Sequence, residues 1–203
     1  MKKKLCYLLI IALVLSCLPA INSEAASKKS QVNSATKGFF NATKKFDVNK
    51  MNKYVKSWGK CTKPKMLSKS TYLKKYFKWA NKKLSYKILS TKVSGKTAKV
   101  KVRVKYTNSK KFTDTFYGLL VVDLMGRENP DKISDKQMTK LCNKYAKIAY
   151  LNAIKSKRQY KTETVTITLG KYGKSWKIKK MSKKLENIIY ANFPYSMDHF
   201  WDE

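Results

Sequence analysis

The spacing of apolar residues along this chain changes several times, and each change predicts an element. A continuous apolar run, Leu5 to Leu15, stands behind Lys2, Lys3 and Lys4 and is too short to span a bilayer as a helix. The segment Ser27 to Lys37 is rich in Ser, Lys, Asn and Thr and poor in large apolar groups, which predicts a flexible leader. Phe39, Ala42 and Phe46 then recur at helical intervals. Asp47 is a candidate N-cap for a second helix with Met51, Tyr54, Val55 and Trp58 on one face. Gly59 and Pro64 break that pattern. Ser70 or Thr71 opens a third helix with an apolar stripe of Tyr72, Leu73, Tyr76, Phe77, Ala80 and Leu84. Lys74, Lys75, Lys78, Lys82 and Lys83 lie mainly off the stripe.

At Ser85 the period drops to that of a strand. Tyr86 and Ile88 begin an alternation, Ser94-Gly95 predicts a tight turn, and Ala98, Val100, Val102, Val104 and Tyr106 alternate with Lys99, Lys101, Arg103 and Lys105. A helix is expected between Thr113 and Met125, although Val121-Val122 also suits a strand. Beyond a break at Gly126 to Pro130, Ser134 or Asp135 opens a long amphipathic helix through Met138, Leu141, Cys142, Tyr145, Ile148, Ala149 and Ile154. A Thr-rich strand, Tyr160 to Leu169, is predicted to turn at Gly170 to Gly173 into a strand holding Trp176 and Ile178. Ser182 then caps a last helix with Leu185, Ile188 and Ile189. Helices, hairpin, helices, hairpin and helix, without a βαβ repeat, predict an α+β fold with helices packed on the apolar face of a curved antiparallel sheet.

The basic N-terminus, the short apolar run and the small residues Ser23, Ala25 and Ala26 together read as an export signal cleaved after Ala25. The expected division is a signal peptide at 1–25, a flexible leader at 26–37, an α+β domain at 38–193 and an aromatic tail at 194–203. Val14-Leu15-Ser16-Cys17 offers an alternative, a lipobox in which acylated Cys17 would tether the protein to a membrane. Leu15 fits that motif poorly, so plain secretion is preferred. Either route leaves the cytoplasm, where a disulfide between Cys61 and Cys142 becomes permissible. The apolar helical position of Cys142 suits a buried thiol better.

Charge adds the choice of partner. Lys and Arg number 46 against 12 Asp and Glu, a net +34; cleavage after Ala25 would leave 43 against 11, a net +32. Such a field recruits polyanions in a salt-sensitive way. Nearly all the cations are Lys, a hydrated point charge suited to diffuse phosphate attraction, whereas Arg is expected at bidentate sites. The expected partners are anionic cell-wall polymers such as teichoic acids, or an anionic membrane surface. Lys99, Lys101, Arg103 and Lys105 would project from one strand face at about 6.6 Å intervals, and Lys74, Lys75, Lys78 and Lys82 would add to them. An alternating Lys face also discourages edge pairing without any ligand. Nucleic acid is the rival partner, because Tyr72 to Trp79 interleaves aromatics with Lys. Helical spacing sends Tyr72, Tyr76 and Phe77 to the core, leaving Trp79 as the exposed aromatic.

Candidate catalytic chemistry is sparse. His199 is the sole histidine and stands near the end of the chain. The sequence has no Gly-rich phosphate loop, Ser elbow or zinc spacing, so no cofactor or metal is expected. Asp123, inside the apolar run Leu119 to Met125, is the one acid that burial could turn into a general acid or base. The simpler expectation is a helix-face carboxylate paired with a lysine. A non-enzymatic binding domain is therefore expected. A pocket for a small ligand, covered by the tail Phe193 to Trp201, is a further possibility.

The helix Ala35 to Phe46 followed by Asp47-Val48-Asn49-Lys50-Met51, the hairpin Tyr86 to Tyr106, the strand Ser175-Trp176-Lys177-Ile178 and the helix after Ser182 resemble one known group. These are exported proteins of Gram-positive bacteria that carry a nuclear transport factor 2-like (cystatin-like) domain. The resemblance implies a cone-shaped α+β domain with its sheet wrapped around a helix and a possible pocket, and it implies no chemistry. Thr113 to Lys157 is an insert relative to the shortest members.

Overall fold

The computed structural model describes residues 19–194, with side chains from residue 26 onward except Met66 and Asp131. Most of the predicted export signal, including Cys17, and the tail from Tyr195 lie outside the described residues. The element order is α1 (Pro19–Lys44), α2 (Val48–Lys53), α3 (Pro64–Leu67), α4 (Thr71–Asn81), β1 (Ser85–Ser94), β2 (Thr97–Thr107), α5 (Lys110–Met125), α6 (Asp135–Lys155), β3 (Tyr160–Tyr172), β4 (Ser175–Ile178) and α7 (Lys183–Ile189). The strands form one antiparallel sheet in the order β1-β2-β3-β4. The chain is thus α+β, with helices on an antiparallel sheet.

Local chemistry explains most of the helix starts. Asp47 accepts from the Lys50 backbone N–H, Ser70 from that of Leu73 and Ser182 from that of Leu185. Ser134 and Gln137 form a reciprocal capping box at α6. Each hairpin is closed by a two-residue loop with glycine first, Gly95 at φ +54° and Gly173 at φ +58°, a conformation L-residues rarely adopt. Gly170 belongs to β3, so the turn there is narrower than the expected Gly170 to Gly173.

Residues 26–37 are a correction to the expected leader. They lie within α1, and Val32 and Thr36 are buried. The Thr36 hydroxyl donates to the Val32 carbonyl, and the Thr43 hydroxyl to that of Phe39, so both hydroxyls are satisfied inside the helix. The contacts of α1 with β1 are partly polar. The Thr91 hydroxyl meets Asn33 Oδ1 at 2.6 Å, and the Tyr86 hydroxyl meets Asn41 Oδ1 at 3.3 Å. Gly38 lets α1 approach α2 closely, since a Cβ there would lie 2.3 Å from the Tyr54 hydroxyl oxygen.

One face of the sheet carries the core. Ala98, Val100, Val102, Val104 and Tyr106 of β2 and Val165, Ile167 and Leu169 of β3 are buried beneath α1, α4 and α7, which pack on the sheet. A layer of aromatic rings continues outward: Tyr76 stacks on Phe112 with centroids 3.6 Å apart, and Phe193 meets Phe77, Phe112 and Phe116. The segment expected as an insert is a helical hairpin, α5 and α6, that packs on itself and on α4.

Candidate polyanion interface

The face of β2 turned away from the helices carries Lys99, Lys101, Arg103 and Lys105, all exposed. Strand register then builds what a single strand cannot show. On the β3 side, Lys99 pairs with Thr168, Lys101 with Thr166, Arg103 with Thr164 and Lys105 with Thr162. On the β1 side, Lys99 pairs with Lys92, Lys101 with Ser90, Arg103 with Lys87 and Lys105 with Ser85. Paired residues share a face, so a central row of cations is flanked by a row of threonine hydroxyls and a row alternating Ser with Lys. At the next step outward, Lys177 of β4 pairs with Gly170.

A β-bulge makes the β1 row possible. The register shifts between Ile88 and Ser90, and the extra residue, Leu89, resets the alternation. Tyr86, Ile88, Thr91 and Val93 therefore face the helices, while Ser85, Lys87, Ser90, Lys92 and Ser94 remain exposed on the other side. Uninterrupted alternation would have turned Ser90 and Lys92 inward.

Among the described residues the strands place no compensating acid on this face. Glu163 is the one carboxylate in the strands, and it lies opposite Val104 on the helix side. There it accepts from the Tyr106 hydroxyl and pairs with Lys184 at 3.5 Å. Among the described residues no ion pair engages Lys87, Lys92, Lys99, Lys101, Arg103, Lys105 or Lys177. Two directly opposed pairs, Lys92 with Lys99 and Lys87 with Arg103, are like-charged and hence mutually destabilising. Among the described residues, the only aromatic contact along the central row is at its end, where Lys105 Nζ lies 4.7 Å from the Tyr160 ring centroid.

The helical lysines form a separate arrangement. Lys74 and Lys78 border a cleft of about 650 Å³ together with Lys45, Lys65, Asp47 and Asn52. Lys75 instead lies over the Tyr72 ring, 4.9 Å from its centroid, and Lys82 is the C-cap of α4. Trp79, expected to be an open aromatic, is half-buried and covered by the Arg158 guanidinium at 3.9 Å from its centroid. That guanidinium already occupies a ring face on which a base would stack.

Asp123 shows the ion-paired arrangement. It bonds the Arg127 guanidinium at 2.7 Å, lies 3.5 Å from Lys144 Nζ and accepts from the Tyr145 hydroxyl. These partners, the Tyr145 hydrogen bond foremost, hold its carboxyl below the ordinary carboxylate range, opposite to what a general acid at neutral pH needs. An apolar cleft of about 360 Å³ lies elsewhere, bordered by Leu73, Phe116, Leu120, Cys142 and Phe193. Asp123 is not among its lining residues.

Cys61 and Cys142 are both free; Cys61 is buried and Cys142 only half-buried. Burial first, and Glu186 second, push the Cys61 thiol up to about 11. Sequence patterning did not single out Glu186, whose side chain is wholly buried. It accepts from the Thr62 backbone N–H at 2.6 Å and pairs with Lys183 at 3.1 Å. A lone acid in a helical stripe carries no local sign of this role, because its acceptor duty is to a loop 124 residues away.

Among the described residues no His, Cys, Asp and Glu cluster could hold a metal, and no helix is long and apolar enough to cross a membrane. The chain matches no known protein-family model, no curated protein and no solved structure.

Proposed function

We propose that this is a secreted, non-enzymatic binding domain held on anionic polymers of the cell envelope through the outer face of its sheet. The observation that carries the reading is the cationic face itself. It includes two like-charged cross-strand pairs and no carboxylate. Repulsion across such pairs costs stability in the free protein, and a bound polyanion relieves it by placing negative charge between the rows. The export-type N-terminus puts envelope polymers and lipid headgroups within reach. The nuclear transport factor 2-like architecture suggested by the sequence resemblance is part of the proposal.

The test is co-sedimentation of purified protein with isolated Gram-positive cell walls across a salt series. The protein is expected in the pellet at low salt and in the supernatant as salt rises, and walls stripped of phosphate polymers are expected to lose it. Protein that stays in the supernatant at low salt contradicts the reading.

A further inference from the structure

Resting on that polyanion reading, we infer that the outer sheet face recognises a linear polyol phosphodiester, a chain of phosphates joined through short hydroxylated carbon units. Its phosphates would lie on the β2 cations and its hydroxyls against the β3 threonines. The register supplies four consecutive cation–threonine pairs, Lys99–Thr168, Lys101–Thr166, Arg103–Thr164 and Lys105–Thr162. Like-facing residues recur at about 6.6 Å along a strand. A phosphodiester bridged by three carbons repeats after as many backbone bonds as two residues of strand contain, so an extended polymer keeps step with the row. Each threonine hydroxyl can donate and accept: a bare phosphate chain can use only the donor, whereas a polyol hydroxyl beside each phosphate can use both.

Single-stranded nucleic acid has a similar phosphate repeat, but its binders hold the bases on aromatic platforms. The paired outer rows from Lys99 to Lys105, Thr162 to Thr168 and Ser85 to Lys92 contain Lys, Arg, Thr and Ser and no aromatic side chain. Tyr160, at the end of the face, is already under Lys105. Strand propensity alone accounts for threonine on β3, so the hydroxyls need a test that leaves propensity unchanged.

The experiment measures binding of purified protein to poly(glycerol phosphate), inorganic polyphosphate and oligo(dT) at one fixed ionic strength. Thr164→Val with Thr166→Val keeps β-branching and removes two hydroxyls. This variant is expected to lose about tenfold or more in affinity for poly(glycerol phosphate), the scale of two neutral hydrogen bonds, and a smaller factor, about threefold, for polyphosphate, which loses only the donors. Thr164→Ser with Thr166→Ser is expected to restore binding. Lys99→Gln with Lys101→Gln is expected to weaken both ligands. If the valine variant binds poly(glycerol phosphate) like the wild type while the glutamine variant loses it, the hydroxyl inference falls and the polyanion reading stands. If the glutamine variant loses nothing, both fall. Oligo(dT) binding at least as tight as poly(glycerol phosphate) overturns the polyol assignment. Circular dichroism of each variant separates lost contacts from lost fold.

Discussion

Cys61 and Glu186 give the residue scale its sharpest consequences. The Cys61 thiol titrates ordinarily near 9.0 and near 11 in the fold, so folding favours its neutral form. That contribution is complete below pH 9 and disappears as pH rises through 11. Tyr106 and Tyr190 are raised by burial in the same direction. Tm measured against pH should therefore fall above pH 9, and Cys61→Ala should reduce the slope. Iodoacetamide at pH 8 should modify half-buried Cys142 well before Cys61, as peptide mapping would show. Glu186→Ala should lower unfolding free energy by about 3 kcal/mol in denaturant titration, because it strands the Thr62 N–H and breaks a partly buried ion pair. Asp123 works in the other direction: its depressed carboxyl supports the fold above the ordinary carboxylate range and loses that support as pH falls through its lowered value.

Among the elements, the β1 bulge absorbs one extra residue, Leu89. Deleting Leu89 would remove the extra residue and leave Ile88 and Ser90 as neighbours opposite Val102 and Lys101, so Ser90 and Lys92 would keep the outer face. The deletion variant and Leu89→Ser, which keeps the bulge, should therefore both sediment with cell walls as the wild type does. Helix caps were legible in the sequence because their chemistry spans only a few residues, as at Asp47, Ser70, Ser134 and Ser182. Residues 26–37 of α1 were not legible as helix. Their partners on β1 are more than 40 residues away, and their contacts there include hydrogen bonds accepted from the Tyr86 hydroxyl by the Lys37 carbonyl and from the Thr91 hydroxyl by Asn33 Oδ1, which leave no apolar periodicity to read.

For the whole molecule, charge sets a trade-off between stability and binding. Lys92→Gln removes one member of a like-charged pair, so it should raise stability by a few tenths of a kcal/mol, roughly, in denaturant titration while weakening polyanion binding. If the polymer neutralises the four β2 cations, the logarithm of affinity should fall against that of salt with a slope of about −3. The cations themselves, the alternation of β2, the shortage of acids and the α+β order were all determined by the sequence, because composition, period and caps are local properties. Their assembly was decided by tertiary structure. Only strand register could set Lys99 against Lys92 and Thr168, only the bulge could bring Lys87 and Lys92 to one face, and only packing could bury Val32 in α1 and cover Trp79 with Arg158. The physical reason is distance along the chain: a side chain's own strand fixes which face it takes, but its neighbours on that face come from strands whose pairing no local pattern specifies.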